Sequence, residues 1–403
     1  MDIKPVNQGF QEATKRIETG RFGPFVFEIG LAAPEIRGAM IRVDDAHSRF
    51  VNSPLSQVAN QLEKEVLAGS IFGTNSIEGG TLTESETSAA LTLDPREVEE
   101  EEQRRVVNIK TAYDVATRKA GEPHWRLDVE FICQVHAAIT TGLRHDRNIP
   151  GQLRDNPKEV VTYVGDDAHG GRYKPPQSGR DIRRLLDELV TWHTELEQAG
   201  VPALLRAPLA HLYFERIHPF WYGNGRVGRV IEATILLAAG YRYAPFAQAR
   251  FYLDHIDRYF TLFNSCRKAA DQGVETPNTE FVAFHLEGIL ASINRLHDRV
   301  NRIVGVLLFE ARVRKLLDAG KINDRQYAII HQLLSASGPP SLEEFRSAPW
   351  YVAMYSKRTG KTRQRDLRGL VEANLLHIDD KKQLWPGFLK PPTTLPAGGL
   401  PVV

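Results

Sequence analysis

Two apolar helical stretches, residues 204–217 and 226–240, are joined by the segment HPFWYGNGRVGR, which runs from His218 to Arg229. That junction constrains the fold more tightly than any other feature of the chain. The first helix has to stop at His218, the glycines have to turn the chain, and the second helix has to open near Arg226. Backbone N–H groups at such a helix start, aided by the positive end of the dipole, form a ready place for an anion. Gly223 and Gly225 let the main chain approach a phosphate closely, and the amide of Asn224 can donate to it. Arg226 and Arg229 are three residues apart, so they share a helix face from which both can fork onto phosphate oxygens. His218 adjoins this cradle and is placed to take a proton from an incoming hydroxyl. A lone Gly-Asn-Gly reads as a surface turn; the ordered set of His, Pro, Phe, glycines and two arginines points to phosphate chemistry.

The surroundings of the junction are patterned for helices. Residues 1–54 show no sustained period and read as an irregular N-terminal arm laid over a later domain. Val58, Leu62 and Val66 recur every four residues, as one face of an amphipathic helix requires. That helix is expected to meet breaks at Gly69 and Gly73, resume through Thr74-Asn-Ser-Ile-Glu78, and stop at Gly79 and Gly80. A solvated helix start is expected at Asp94, where Pro95 and a run of acids follow. Residues 151–177 are the exception: Val160 to Val164 followed by a Gly/Asp-rich turn and Pro175-Pro176 predict a β-hairpin able to act as a flap. His124, His136, His193, His211 and His255 show no paired metal-ligand spacing and read as core or surface residues. Trp125, Trp192 and Trp350 read as packing.

At this point the His218–Arg229 segment resembles the motif of the Fic family, HPFx[D/E]GNGRxxR. The resemblance extends to GQLRDN with the following hairpin, to HIDRYFTLF around Tyr259, and to TEFVAFHLEGI, covering roughly residues 55–300. It implies a mainly α fold, a helical Fic core with a β-hairpin flap, and transfer of AMP from ATP to a Ser, Thr or Tyr hydroxyl of a target protein. By resemblance His218 is the general base; Gly223, Asn224 and Gly225 hold the α-phosphate; Arg226 and Arg229 hold the outer phosphates; Tyr259 borders the base. Thr74 to Gly79 is similar to the family's inhibitory pattern [S/T]xxxE[G/N], which implies that Glu78 pairs with Arg229 and autoinhibits transfer. The family usually carries an Asp or Glu for Mg²⁺ where this chain has Tyr222, a phenol ill suited to a hard cation. Three readings stay open: Mg²⁺ held by substrate phosphates and water, an acid such as Asp166 or Asp167 substituting, or another phosphate-bearing donor or a catalytically quiet core.

Domain boundaries follow from these elements: a helical region at 55–110 with the inhibitory helix at about 70–79, a core at 111–315, a further module at 316–389, and a flexible tail at 390–403. Residues 320–389 hold eleven Lys/Arg and seven Asp/Glu. Their order of helix, break, helix, loop, helix and short hairpin is the plan of a winged helix-turn-helix. KRTGKTRQRDLR, residues 357–368, makes this module a candidate for DNA or protein contact, and such modules also dimerise, which admits a homodimer. A rival reading is a DNA-binding regulator whose core senses a nucleotide; the joint presence of His218 and both arginines favours the enzyme. The chain as a whole carries 51 Lys/Arg against 50 Asp/Glu, so no global charge draws it to nucleic acid or an anionic membrane. Its 403 residues are 42% apolar, enough for a large core. With two cysteines, Cys133 and Cys266, no signal sequence and no apolar run of roughly 18 residues, a cytoplasmic protein without a membrane partner is expected.

Overall fold

A computed structural model of the chain describes residues 14–52, 56–242, 244–336 and 338–389. The flexible tail expected at 390–403, and residues 1–13, 53 and 54 of the expected arm, lie outside the described residues. The fold is mainly helical and divides into two compact units, Met1–His297 and Asp298–Val403. No helix of the described residues is long and apolar enough to cross a membrane.

The first unit opens with an antiparallel pair, β1 (Lys15–Glu18) and β2 (Pro24–Phe27), with Lys15 opposite Phe27. Ten helices follow: α1 (Ala33–Val51), α2 (Ser56–Ile77), α3 (Glu84–Ala90), α4 (Glu101–Ala120), α5 (Val129–Thr140), α6 (Gly179–Gln198), α7 (Ala203–Ile217), α8 (Asn224–Ala238), α9 (Ala244–Asp254) and α10 (Ile256–Asp271). The irregular arm is thus corrected to a hairpin and a 19-residue helix. Ile36, Ala39, Val43, Ala46 and Phe50 of α1 recur every three or four residues and are all buried, but the charged residues between them dilute the period. The hairpin docks by its aromatics: Phe27 is fully buried beside Trp192 and Tyr213, and the Tyr213 hydroxyl donates to the Glu28 carbonyl at 2.9 Å.

Helices α7 and α8 are buried almost all round, which makes them the centre of the unit. The breaks expected at Gly69 and Gly73 do not occur, and α2 runs through both. Gly73 serves close approach instead: a Cβ there would sit 2.9 Å from the carbonyl of Ala249, so α2 and α9 could not pack as they do. The helix expected from Asp94 begins only at Glu101, because Asp94 binds the backbone N–H and side chain of Arg96 in a local turn.

The expected flap hairpin is reduced to a single antiparallel bridge, Val164 to Tyr173, with both N–H···O contacts at 2.9 Å. Further out, the side-chain amide of Gln177 replaces a strand partner: it accepts from the Thr162 N–H at 2.8 Å and donates to the Thr162 carbonyl at 3.1 Å. Local side-chain bonding of this kind competes with a ladder.

The division between the units falls within α11 (Thr279–Asp318). Beyond it come α12 (Asp324–Ser335), α13 (Leu342–Ser347), α14 (Pro349–Met354), α15 (Gly360–Glu372) and an antiparallel pair, β3 (Leu376–Ile378) and β4 (Leu384–Pro386). α14 replaces part of the loop expected before α15, with Pro349 supplying a first-turn residue whose missing N–H costs nothing. Ile329, Ile330, Leu333, Leu342, Phe345, Tyr351, Leu367, Leu370 and Leu376 close a separate core for this unit.

Candidate active site

Helix α7 ends at His218, which takes the left-handed conformation (φ 49°, ψ 63°) and donates its N–H to the Phe214 carbonyl at 2.9 Å. A side chain held in that region costs on the order of 1–3 kcal/mol and persists only where neighbours impose it. Here the imposition comes from Arg154, fully buried, which donates from Nε to the His218 carbonyl at 2.7 Å and from Nη1 to Asn156 Oδ1 at 2.7 Å. Burial pulls the Arg154 guanidinium down to about 10. The Tyr173 hydroxyl adds a second grip by donating to the carbonyls of Glu215 and Arg216, each at 2.8 Å.

The loop after His218 is braced from inside. Asn224 accepts the Phe220 N–H at Oδ1 (2.9 Å) and donates from Nδ2 to the Phe220 carbonyl (2.8 Å). Its amide therefore closes the loop. Phe220 is fully buried with its ring stacked on His136, centroids 3.7 Å apart and planes 3° from parallel. His136 accepts the Gly151 N–H at Nδ1 (2.9 Å), so the proton sits on Nε2, which faces the Tyr222 carbonyl and Asn148 Oδ1, each at 3.1 Å. Burial holds this imidazole neutral, with its pKa down at about 4.

The two arginines part company. Arg229, 3% exposed, donates from Nη2 to Glu78 Oε1 at 2.8 Å and to the Thr74 carbonyl at 3.2 Å, and from Nη1 to the Tyr259 hydroxyl at 3.1 Å. Thr74 and Glu78 thus reach one guanidinium, Thr74 through its backbone; its own hydroxyl lies 3.3 Å from that of Tyr113. Burial works against the charge of Glu78, but Arg229, Arg226 and Arg105 together hold its carboxyl below the usual range. Arg226 is fully buried, none of its three guanidinium nitrogens has a hydrogen-bond partner, and its charge lies over the Tyr222 ring, 4.4 Å from the centroid. Gly225 lets the Glu78 carboxylate approach the helix start closely, since a Cβ there would push that side chain aside.

A cavity of about 270 Å³ opens among these groups, lined by Glu78, Glu215, His218, Gly225, Arg229 and Tyr259 among others. Arg226 does not line it. Tyr259 is stacked on Tyr252, with centroids 4.5 Å apart, and its hydroxyl faces His211 Nε2 at 3.1 Å; His211 Nδ1 in turn faces Glu232 Oε2 at 2.7 Å. Arg229 is therefore the end of a buried polar chain. Gly79 follows α2 with φ 78° and stays exposed.

Four contributors escaped the sequence reading. Glu215 places Oε2 3.5 Å from His218 Nδ1 and leaves Oε1 buried without a partner. Arg105 pins the turn after α2 by donating to the Glu78 carbonyl at 2.7 Å. Arg154 and His136 hold the loop from below. A signal existed for Glu215, which precedes His218 by three residues, and for Arg154, which lies in the GQLRDN segment.

The residues around position 222 do not fit a resident Mg²⁺. Tyr222 is a phenol packed on the Arg226 guanidinium and stacked with His145 at 5.2 Å, and a divalent cation there would meet a fixed positive charge instead of a carboxylate. Asp166 is occupied by His169, whose backbone N–H it accepts at 2.9 Å and whose Nδ1 lies 2.8 Å away. Among the described residues no group of three or more His, Cys, Asp or Glu side chains could hold a metal.

Residues 126–236 match the Fic/DOC family, a span that holds His218, the loop and both arginines. The protein adenylyltransferase Fic of Drosophila ananassae is 24% identical over 190 residues, 46% of this chain and 35% of that protein. Its counterpart from Drosophila virilis is 22% identical over 215 residues, 52% of this chain and 39% of that one. The chain thus spans little more than a third of the length of these relatives. Among solved structures, a Fic domain containing signaling protein from Bacteroides thetaiotaomicron aligns with a TM-score of 0.53 at 18% identity, covering 66% of this chain and 97% of that one. Fic-1 (residues 134–508) from C. elegans aligns with a TM-score of 0.52 at 19% identity, covering 67% and 74%.

Proposed function

Because the chain is a Fic family protein, we propose that it transfers AMP from ATP to a hydroxyl of a target protein or of itself, and that Glu78 restrains the reaction. The observation that carries this reading is one cavity lined by both His218 and the Arg229–Glu78 pair. The target hydroxyl oxygen attacks the α-phosphorus, forming the new P–O bond as the bond to the bridging oxygen breaks and pyrophosphate leaves. His218 accepts the hydroxyl proton at its imidazole, and the backbone of Gly223–Gly225 at the start of α8 faces the charge that develops on the phosphate. Arg229 orients the outer phosphates once Glu78 withdraws. No step runs through a metal, since Tyr222 and Arg226 occupy the region where a protein ligand for it is expected.

Autoinhibition follows from charge: a carboxylate bound to Arg229 occupies the guanidinium that a phosphate would need, and the two anions cannot share it. The location of the reaction, the cytoplasm, is part of the same proposal. The test is intact-mass analysis of Glu78→Gly protein incubated with ATP, GTP, CTP or UTP, with and without Mg²⁺, beside a Glu78→Gly/His218→Ala control. A His218-dependent gain of one AMP unit, on the protein itself or on a partner from a lysate, is expected; His218-independent labelling, or a gain from another donor alone, overturns it.

A further inference from the structure

The transferase chemistry leaves the second unit without a task, although residues 320–389 carry eleven Lys/Arg against seven Asp/Glu in a chain that is nearly neutral overall. Helix α15 turns Asp366, Leu367 and Leu370 into the core of that unit. Lys361, Arg365 and Arg368 are exposed. Their spacing of four and three residues sets them in one stripe, and at about 100° per residue the stripe lies opposite the buried face.

Three acids of the unit, Asp366, Glu344 and Asp379, are engaged within it, while Asp324, Glu343, Glu372 and Asp380 are exposed. Asp366, the single acid between residues 357 and 368, is 2% exposed and accepts from Arg325 Nε at 2.8 Å, the Tyr355 hydroxyl at 2.8 Å and Asn323 Nδ2 at 3.3 Å. Glu344 closes a capping box with Ser341 at the start of α13, and Asp379 takes the Trp385 indole N–H at 2.9 Å. Among the described residues none of Lys357, Arg358, Lys361, Arg365 and Arg368 has an ion-pair partner. Only Glu372, one turn past Arg368, ends the stripe. Two more exposed cations, Lys381 and Lys382, occupy the turn between β3 and β4 next to the exposed Asp380.

We propose that this unit binds double-stranded DNA, with α15 entering the major groove through Lys361, Arg365 and Arg368, and with Lys357, Arg358, Lys381 and Lys382 on flanking phosphates. A helix fits the major groove of B-form DNA, and the guanidinium fork matches both phosphate oxygens and the guanine edge. Duplex RNA is a poorer partner, because the deep, narrow major groove of an A-form helix excludes a helix of this width. Single strands need aromatic stacking platforms, and the Tyr351 and Tyr355 rings are fully buried in the unit's core. This inference stands whether or not the first unit transfers AMP.

The test uses the full chain and a labelled random duplex of about 30 base pairs in an anisotropy titration across salt concentrations. Micromolar binding at low salt is expected, weakening on a log–log plot with a slope of about −4.5 to −6.3 for five to seven phosphate contacts. Arg365→Glu/Arg368→Glu should weaken binding at least tenfold and flatten the slope by about 2, while the thermal melt keeps its midpoint. Arg365→Gln/Arg368→Gln serves the same comparison with a gentler change. Absence of salt-sensitive binding at 50 mM salt, an unchanged titration in both double variants, or equal competition by duplex RNA or polyglutamate overturns the proposal, the last result marking an unselective polyanion surface.

Discussion

Arg229 and Arg365 carry the same guanidinium in opposite surroundings. Arg229 is 3% exposed and spends its donors on Glu78, Tyr259 and the Thr74 carbonyl. Arg365 is exposed on α15, without an ion pair. Taking a cation out of water is costly unless the fold supplies partners, whereas an exposed one is satisfied by solvent. A phosphate that approaches Arg229 therefore competes with an anion the chain has built in, and one that approaches Arg365 competes only with salt. On the functions proposed above, binding at the first site would be governed by conformation, and at the second by ionic strength.

The largest expected effect separates the two regions outright. His218→Ala, made in the Glu78→Gly background, should lower transfer by about 10²- to 10⁴-fold, the usual worth of a positioned proton acceptor, and should leave the duplex-DNA titration where it was. A parallel loss of DNA binding would join the regions and break the comparison. Next comes the buried chain behind Arg229. Glu232 sits at 2% exposure between His211, Tyr252 and His285, with its carboxyl, despite burial, held far below the usual range by His285 and His211. Glu232→Ala should destabilise the protein by about 3–5 kcal/mol in urea unfolding, because it strands buried partners. A loss within 0.5 kcal/mol would show that Arg229 needs no such support.

Smaller effects sharpen the contrast. Glu78 is partly exposed, so Glu78→Gly should cost only about 1–3 kcal/mol of stability by differential scanning, a deficit that ATP at saturating concentration should offset. Equal melts with and without ATP would argue that Arg229 does not receive phosphate. The smallest expected effect lies in the flap, where His169 faces Asp166 at 2.8 Å and Asp257 at 3.3 Å and carries a pKa raised first of all by Asp166. A raised folded pKa means that the clasp is complete below the ordinary imidazole value and weakens as pH climbs through the raised one. Hydrogen-exchange protection of residues 165–171, corrected for intrinsic rates, should fall across that window, and Asp166→Asn should remove the dependence.

How much of this was legible along the chain depends on the range of the interaction. The stop of α7 at His218 and the start of α8 one loop later follow from residues within a few positions of each other, as do the caps at Thr83 and Ser341. The pairing of Glu78 with Arg229, 151 residues apart, was expected only through resemblance, since nothing in local spacing selects that partner. Asn224 was expected on a phosphate, and the structure adds a partner that local spacing did not announce: its amide braces the Phe220 backbone of its own loop. The flap, patterned as a hairpin, lost its ladder to the side chain of Gln177, a choice made by two residues 15 positions apart.

By itself the sequence determined that the chain is mainly helical, that a glycine-flanked loop presents His218 and two arginines, and that the C-terminal segment is basic. Those properties arise from periodicity, backbone freedom and composition, all of which act locally. Tertiary structure decided that Arg229 faces the cavity while Arg226 lies sealed against Tyr222, that Glu215 stands beside His218, and that Asp366 of the basic helix turns inward. Each of these is a choice of partner for a buried charge or polar group, and such choices exist only once packing has excluded water and left few groups within reach.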